Sequence, residues 1–317
     1  MGFTPGMTFE DYSQPVKVLV TGASGQVGSS VVQLAEEDGF FTVVGLGPKE
    51  LDITSAEEIH KQLDLYLPDY VINCAGFNGV DAAQHEHERC YAVNTAGVEK
   101  LAQACGDLSI PMVHISSDFV FDGHYDSGYR EDDEVSPLGV YGDSKWQGEE
   151  ALRRVLPQHL ILRVSWVFSE SGNNFVTRTL ERARTQLEIR AVNDRIGCPT
   201  AASDVARVVL AMLKQVHNGA EVWGTYHYCG GEISNRYSFC KEIISHAMGY
   251  EELAMETLTA VSASQYPKEV QRPSSSVLEC KKLLNTFGIH QRPWRSDLSE
   301  VVRFYYQARK QALQNDV

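Results

Sequence analysis

Residues 16–28 read Val-Lys-Val-Leu-Val-Thr-Gly-Ala-Ser-Gly-Gln-Val-Gly. The first of them predict a β-strand, and a helical pattern of apolar residues follows from residue 26. Gly22, Gly25 and Gly28 lie between the two elements. Glycine permits a tight turn and close backbone approach, and the helix N-terminus presents free N–H groups and a positive dipole end. The segment therefore predicts a loop that binds the pyrophosphate of a dinucleotide.

The first half of the chain alternates short apolar runs with helical patterns. The predicted strands are 16–21, 41–46, 69–74, 111–116 and 159–165, and the predicted helices are 26–38, 55–66, 81–106, 142–155 and 173–187. Such alternation predicts an α/β fold with a doubly wound parallel sheet of the Rossmann type.

The alternation of strand and helix patterns ends after about residue 166, where glycine and proline become more frequent. Three helical segments follow, at 201–216, 236–248 and 297–313. We expect a flexible extension at 1–15, a dinucleotide-binding domain at 16–166 and mainly a smaller substrate-binding lobe at 167–317 that closes a cleft. A segment near 200–230 can return to the first domain.

Composition excludes several functions. The formal net charge of -14 over 317 residues argues against non-specific nucleic-acid binding, and no apolar run approaches the roughly 20 residues that cross a bilayer. The first fifteen residues do not resemble a signal peptide. Seven cysteines without a C-x-x-C pair indicate a reducing, cytoplasmic location. His85 and His87 lie two apart on a predicted helix and face different ways, so we expect no metal site.

The chain contains two Tyr-x-x-x-Lys pairs, Tyr141 with Lys145 and Tyr237 with Lys241. Residues four apart on a helix share one face. An ammonium near a phenol is expected to lower the pKa of the phenol, which makes it a better proton donor or acceptor near neutral pH. The same lysine could reach the hydroxyls of a bound ribose.

Position separates the two pairs. Ser117 and Asp118 stand at the end of the fourth predicted strand, upstream of Tyr141. Ligands bind at the carboxyl ends of strands in doubly wound sheets, so Ser117 can donate a hydrogen bond to a substrate oxygen beside the phenol. Nothing comparable precedes Tyr237. The sequence therefore predicts Ser117, Tyr141 and Lys145 as catalytic residues.

The chain resembles the extended short-chain dehydrogenase/reductases from Val16 onward, and within them the dTDP-4-dehydrorhamnose reductases. The resemblance rests on the glycine loop, the Ser117, Tyr141 and Lys145 set, and six further segments. These segments are Ser117–Gly123, Ser136–Gly142 with Ser165–Val167, Asn173–Phe175, Gly197–Thr200 and Arg272-Pro273.

The resemblance implies that a nicotinamide cofactor reduces C4 of a dTDP-linked 4-keto-6-deoxy sugar. Tyr141 would protonate the new alkoxide, Ser117 would polarise the carbonyl, and Lys145 would tune Tyr141 and hold the nicotinamide ribose. The physical requirement agrees, because negative charge that develops on oxygen needs donors placed in advance.

The resemblance also implies binding residues. The cofactor would meet Gly22, Ser24, Gly25, Gln26, Val27, Gly28, Ala75, Gly76, Tyr141 and Lys145. The nucleotide-sugar substrate would meet Asn78, Val80, Asp118, Phe119, Trp166 and Arg272. Asn73 begins the stretch Asn73–Gly76 that resembles the family's cofactor contact, or it caps a turn instead. Two of the substrate assignments also have alternatives: Trp166 can be a core residue, and Arg272 can form a surface salt bridge instead of clamping a diphosphate. Asn94 would support the catalytic pair.

Cofactor choice depends on the residues after the second strand. NAD-selective sites often place an acid there for the ribose 2′-hydroxyl, whereas this strand ends Leu46-Gly47-Pro48-Lys49. Lys49 could meet a 2′-phosphate, which favours NADP(H), with NAD(H) as the alternative. Asp52 would contact the adenine edge or start the turn before Thr54.

Two other functions stay open. Another sugar-nucleotide enzyme of the same fold, such as an epimerase, could use the same Tyr and Lys. A non-catalytic NADP-binding subunit resembling the regulatory β subunit of methionine adenosyltransferase shares Ile115–Asp118 and Tyr129–Glu131. One departure from the reductases is Arg236, where an aromatic residue is common. A homodimer is compatible with the sequence.

Overall fold

The computed structural model describes residues 15–125, 127–265 and 269–315, so residues 1–14 of the expected extension lie outside the described residues. The strands are β1 (Val16–Thr21), β2 (Phe41–Leu46), β3 (Tyr70–Asn73), β4 (Met112–Ser117), β5 (His159–Val164), β6 (Val167–Phe168), β7 (Glu188–Val192), β8 (Ile196–Gly197), β9 (Thr200–Ala201), β10 (Gly224–Tyr228), β11 (Ser234–Asn235), β12 (Thr257–Val261) and β13 (Ser275–Ser276). The helices are α1 (Gln26–Asp38), α2 (Ala56–Tyr66), α3 (Val80–Ala83), α4 (His87–Tyr91), α5 (Val98–Asp107), α6 (Val140–Val155), α7 (Phe175–Thr185), α8 (Ala202–His217), α9 (Arg236–Ala247), α10 (Lys281–Phe287) and α11 (Trp294–Asn315).

The central sheet has six parallel strands in the order β2-β1-β3-β4-β5-β10. After β1, the chain forms β2 on one side of it. Strands β3, β4, β5 and β10 then follow on the other side. The strand order therefore reverses at β1, and a ligand crevice forms at such a point in doubly wound sheets. This confirms the predicted fold class.

Both faces of the sheet are covered, as a parallel sheet requires. One face packs on α1 and α8, with Val31 and Val209 in the core cluster. The other face packs on α2, α5 and α6, with Ile59, Leu101 and Leu152 fully buried. Helix α8 lies against α1, and the chain then returns to the sheet edge as β10, beside β5.

The remainder of the chain builds a second cluster beside the carboxyl edge of the sheet. Helices α7, α9 and α11 pack around Phe239 and Trp294, whose ring centroids lie 5.2 Å apart. A two-stranded parallel sheet of β7 and β12 borders this cluster. These elements place α7 and the start of α9 opposite the ends of β4 and β5.

The predicted helix 81–106 is wrong as a single element. The chain instead forms α3, α4, a π-helical turn at Ala92–Gly97 and α5. The π turn contains Asn94, whose amide bonds both backbone groups of Phe77 at 2.8 and 3.0 Å. A Cβ on Gly148 would lie only 2.0 Å from the Asn94 carbonyl oxygen. This close contact with α6 fixes the turn, and tertiary packing overrides the local helical register.

Across residues 15–125, 127–265 and 269–315, none of the helices combines the length and the apolar character needed to cross a membrane.

Candidate active site

The loop after β1 has no room for side chains at two of its glycines. Gly22 has φ +64°, and a Cβ there would lie 2.5 Å from the Ala75 backbone nitrogen. A Cβ on Gly28 would lie 2.3 Å from the Gly22 carbonyl oxygen. Helix α1 starts at Gln26 without a side-chain cap on its first N–H groups. These groups and the exposed Ser24 therefore remain available to an anion, whereas the Gly25 N–H is bonded to the Gly22 carbonyl oxygen at 3.0 Å.

The end of β3 lies directly beside this loop. The Asn73 side chain accepts hydrogen bonds from the Thr21 hydroxyl at 2.7 Å and the Ala75 N–H at 3.1 Å. Asn73 thus caps the turn and joins β3 to β1, which was one of its two expected roles. A Cβ on Gly76 would lie 3.7 Å from the Lys145 Nζ atom. The predicted cofactor stretch therefore connects the glycine loop with the predicted catalytic lysine.

Lys145 is buried on α6 with its ammonium directed at the sheet. Nζ donates a hydrogen bond of 2.7 Å to the carbonyl oxygen of Ile115 in β4. Burial lowers the pKa of Lys145 to about 8, partly offset by the carboxylate of Glu149 one turn along the helix. The group is still largely protonated near neutral pH and becomes neutral above the lowered value.

Tyr141 corrects the expectation of a lowered phenol pKa. Burial raises the pKa of Tyr141 above its ordinary value, and a hydrogen bond with Ser117 offsets this only partly. The Lys145 ammonium is bonded to Ile115, so burial outweighs its attraction for a phenolate. The phenol is consequently protonated at neutral pH. Its hydroxyl lies 3.5 Å from the Asn78 side-chain oxygen.

Ser117 and Asp118 form the end of β4. The Ser117 hydroxyl donates to the Asp118 carboxylate at 3.0 Å and accepts from the Phe119 N–H at 3.2 Å. Burial raises the pKa of Asp118 to about 6. A Cβ on Gly142 would lie 2.1 Å from the Phe119 carbonyl oxygen, so only glycine lets α6 approach this turn. Ser117 and Tyr141 are thereby brought together from separate elements.

A cavity of about 650 Å³ begins at Phe119, the residue that follows Ser117 and Asp118. Phe119 forms part of its wall and contacts Tyr141 edge to face, with ring centroids 5.5 Å apart. Trp166 lines the opposite part with φ +45°, and a Cβ on Gly197 would lie 2.4 Å from its indole ring. Gln26, the first residue of α1, also lines the cavity and accepts a hydrogen bond from Ser169. The cavity therefore extends from the first residue of α1 to Phe119, whose ring contacts Tyr141.

Arg272 lines the cavity and bonds the half-exposed carboxylate of Asp81 at 2.7 Å. The salt bridge expected as one alternative is present, and its position in the cavity wall is compatible with the other. Val80 starts α3 next to Asp81 and is partly buried. The sequence indicated Arg236 only as a departure from the reductases, and it did not indicate the other four arginines of the cavity wall. They are Arg178, Arg182, Arg190 and Arg195.

The residues after β2 require a correction. Lys49 is exposed, and Asp52 accepts a hydrogen bond from the Thr54 N–H at 2.9 Å, which makes it a turn residue. The expectation of no acid at the strand tip is wrong because Glu50 folds back, and its carboxylate accepts the Gly47 N–H at 3.0 Å. The tip thus carries both a cation and an anion.

The second Tyr-x-x-x-Lys pair has different surroundings. Tyr237 packs against the cluster of Ala183, Ile189 and Ile244, and Lys241 is exposed. Among the described parts of the chain, no group of three or more His, Cys, Asp or Glu residues is arranged to hold a metal ion.

The doubly wound sheet, the glycine loop at its reversal point and the Ser–Tyr–Lys set at the next strand ends define an NAD(P)-dependent oxidoreductase of the extended short-chain dehydrogenase/reductase type. The model of the RmlD substrate binding domain family matches residues 16–307. The chain belongs to this family of dTDP-4-dehydrorhamnose reductases.

Individual relatives agree with this assignment. A dTDP-4-dehydrorhamnose reductase from Aggregatibacter actinomycetemcomitans is 36% identical over 287 residues, which cover 90% of this chain and 98% of that protein. The crystal structure of a dTDP-4-dehydrorhamnose reductase from Clostridium acetobutylicum matches with a TM-score of 0.84 and 31% identity, covering 91% of this chain and 99% of that one. The Bacillus anthracis reductase, solved in complex with NADP, matches with a TM-score of 0.83 and 28% identity over the same shares of the two chains.

Proposed function

We propose that this chain reduces the C4 keto group of a dTDP-linked 4-keto-6-deoxy sugar with NADPH, as a step in dTDP-L-rhamnose synthesis, and that NADH can replace NADPH. One observation carries the proposal. A protonated phenol, a buried ammonium and a serine hydroxyl lie at the carboxyl end of β4, close to a tight glycine-rich loop and to a cavity lined by arginines.

The residues fit a dinucleotide. A Cβ at Gly22 or Gly28 would collide with backbone atoms, so only glycine lets the loop take this tight path, and the first turn of α1 has free N–H groups for a pyrophosphate. A nicotinamide dinucleotide supplies the hydride when bound there. Lys145, which lies beside Gly76, would hold the nicotinamide ribose through its ammonium.

The chain's own groups would manage the proton and the developing charge. Tyr141 would donate its proton to the C4 alkoxide oxygen, a role that a neutral phenol can fill. Ser117 donates to Asp118 in the structure, so its hydroxyl must rotate to donate to the carbonyl oxygen of the substrate. Asn78, Phe119 and Trp166 would enclose the sugar, and Asp118 would meet its hydroxyls.

The test is turnover with a defined substrate. Purified protein is incubated with NADPH and dTDP-4-dehydro-6-deoxy-L-mannose, and the loss of the reduced nicotinamide absorbance band is followed. Oxidation of NADPH with formation of dTDP-L-rhamnose supports the proposal. Cofactor binding without oxidation contradicts it and favours the regulatory-subunit alternative. Interconversion of sugar epimers without net NADPH loss favours an epimerase.

We also propose the compartment, the assembly and the roles of the two parts of the chain. The chain would act in the cytoplasm without nucleic acid, as a homodimer, with residues 16–166 as the main dinucleotide-binding domain and 167–317 as the main substrate lobe. Light scattering of the purified protein measures the assembly directly. A mass near that of one 35.3 kDa chain would contradict the dimer.

A further inference from the structure

Six guanidinium groups line the cavity in a chain whose net charge is -14. Among the described residues, Arg272 is the one of the six with a carboxylate within salt-bridge distance, and Arg182 bonds the Gln186 side chain. Arg178, Arg190, Arg195 and Arg236 have neither an ion pair nor a side-chain hydrogen bond within the described parts of the chain. Cations without partners in a concave site attract an anionic ligand.

Arg236 is the most confined of these cations. Its guanidinium carbon lies 3.6 Å from the centroid of the Trp166 ring and 4.7 Å from that of Phe175. The aromatic faces attract its charge, but they accept none of its five N–H donors. Burial lowers the pKa of Arg236 to about 9, and the positive charges of Arg178 and Arg272 act in the same direction. An anion in the cavity would supply the acceptors that the aromatic faces do not.

The arrangement indicates what kind of anion fits. Arg178, Arg236 and Arg272 line the same cavity, so the three charges face a common space. Guanidinium groups bind phosphate oxygens in a bidentate manner, and a diphosphate offers several such oxygens to converging forks. A single phosphate ester offers fewer oxygens and less charge. The carboxylate of Asp118 also acts on Arg236, but it accepts a hydrogen bond from Ser117.

We propose that Arg236 is a substrate-binding residue of this chain, and that with Arg178 and Arg272 it forms a subsite for the diphosphate of the nucleotide sugar. The identity of the anion rests on the proposed function. The stacked guanidinium selects nucleoside diphosphates over monophosphates, and it simultaneously holds the Trp166 ring that borders the sugar.

The test measures binding rather than turnover. Affinities for dTDP, dTMP and thymidine are measured by calorimetry for the wild type, for R236Q and for R236K. Loss of charge-assisted hydrogen bonds is expected to weaken dTDP binding by at least about 10-fold in R236Q. The loss for dTMP is smaller, and thymidine affinity is unchanged. R236K keeps the charge without the planar fork and is expected to lie between the wild type and R236Q.

Two controls keep the outcome interpretable. NADPH affinity, which depends on the glycine loop, verifies that R236Q is folded, and R178Q tests the same subsite from α7 if R236Q is not. R303Q alters an exposed arginine on α11 that is paired with Glu300, and it should leave dTDP affinity unchanged. Equal losses for dTDP and thymidine, or no loss in R236Q and R178Q, would overturn the subsite. Selective dTDP binding without reductase turnover would keep the subsite and refute the proposed function.

Discussion

The molecule carries the same Tyr-x-x-x-Lys spacing near the start of two helices, and the two copies have opposite surroundings. On α6, Lys145 is buried with its ammonium on a carbonyl of β4, and Tyr141 faces Ser117. On α9, Lys241 is exposed and Tyr237 packs against an apolar cluster. The motif provides only a shared helix face. Chemistry becomes available where that face meets the carboxyl ends of parallel strands.

The largest expected effect separates the two tyrosines. Replacing Tyr141 by Phe removes the proton donor and should lower kcat by about 10²- to 10⁴-fold. Y237F keeps the ring in its apolar cluster and should leave kcat within about twofold. Steady-state kinetics with NADPH and the keto sugar measure both variants. Comparable losses in the two variants would show that position does not distinguish the copies.

The two lysines should differ in pH dependence as well as in rate. K145M removes the buried ammonium and should reduce kcat and weaken NADPH binding, whereas K241M changes an exposed group with little effect. Because the pKa of Lys145 is lowered to about 8, the ammonium is present below that pH and lost above it. The wild-type kcat/KM is therefore expected to fall as pH rises through about 8. A profile that stays flat from pH 7 to 10 would contradict an essential Lys145 ammonium.

Local signals in the sequence were sufficient for much of the fold. β1, β2 and α1 have the predicted bounds, and the other strands predicted before residue 166 agree within one or two residues. Each is a short apolar run between turn signals, so its type depends on neighbouring residues. β10 was missed because Gly224–Tyr228 has a weak apolar pattern and becomes a strand through its pairing with β5.

The candidate site also contains residues that could be predicted from local sequence and residues that could not. Ser117, Tyr141 and Lys145 could be predicted because each follows a strand end or a helix start within a short segment. The arginine-lined wall could not, since its residues come from α7, β7, the start of α9 and the loop before β13. Only tertiary packing brings these elements to one cavity. The pKa of Tyr141 was likewise mispredicted, because spacing on a helix does not show how deeply a phenol is buried.

Asn94 supports α6 and Asn235 supports α9. Replacing the first should affect both stability and kcat, whereas replacing the second should affect stability alone. Asn94 is buried and donates to the Ser144 hydroxyl at 3.0 Å between Tyr141 and Lys145, whereas Asn235 caps α9 through the Ser238 N–H at 2.8 Å. N94A leaves the Phe77 N–H without its acceptor and should lower the free energy of unfolding by about 1–3 kcal/mol and also reduce kcat. N235A should cost about 1 kcal/mol with kcat maintained. Urea unfolding and kinetics of both variants measure these effects. A normal kcat for a folded N94A would exclude Asn94 from positioning the pair.

The smallest expected effect concerns Lys49 and Glu50. Here too, the position of a side chain in the structure predicts its role better than the sequence alone. Lys49 was read from the sequence as a contact for a 2′-phosphate, but Glu50 places a carboxylate at the same strand tip, 3.0 Å from the Gly47 nitrogen. Opposite charges there would favour NADPH and NADH respectively. K49M should lower the ratio of NADPH to NADH affinity, and E50Q should raise it, each by about 3- to 5-fold, because exposed charge interactions contribute little in water. Titration of both coenzymes into each variant measures the ratios. An unchanged ratio in K49M combined with a large rise in E50Q would mean that Glu50 alone sets the preference, and that the adenosine ribose lies nearer the folded-back carboxylate than the exposed ammonium.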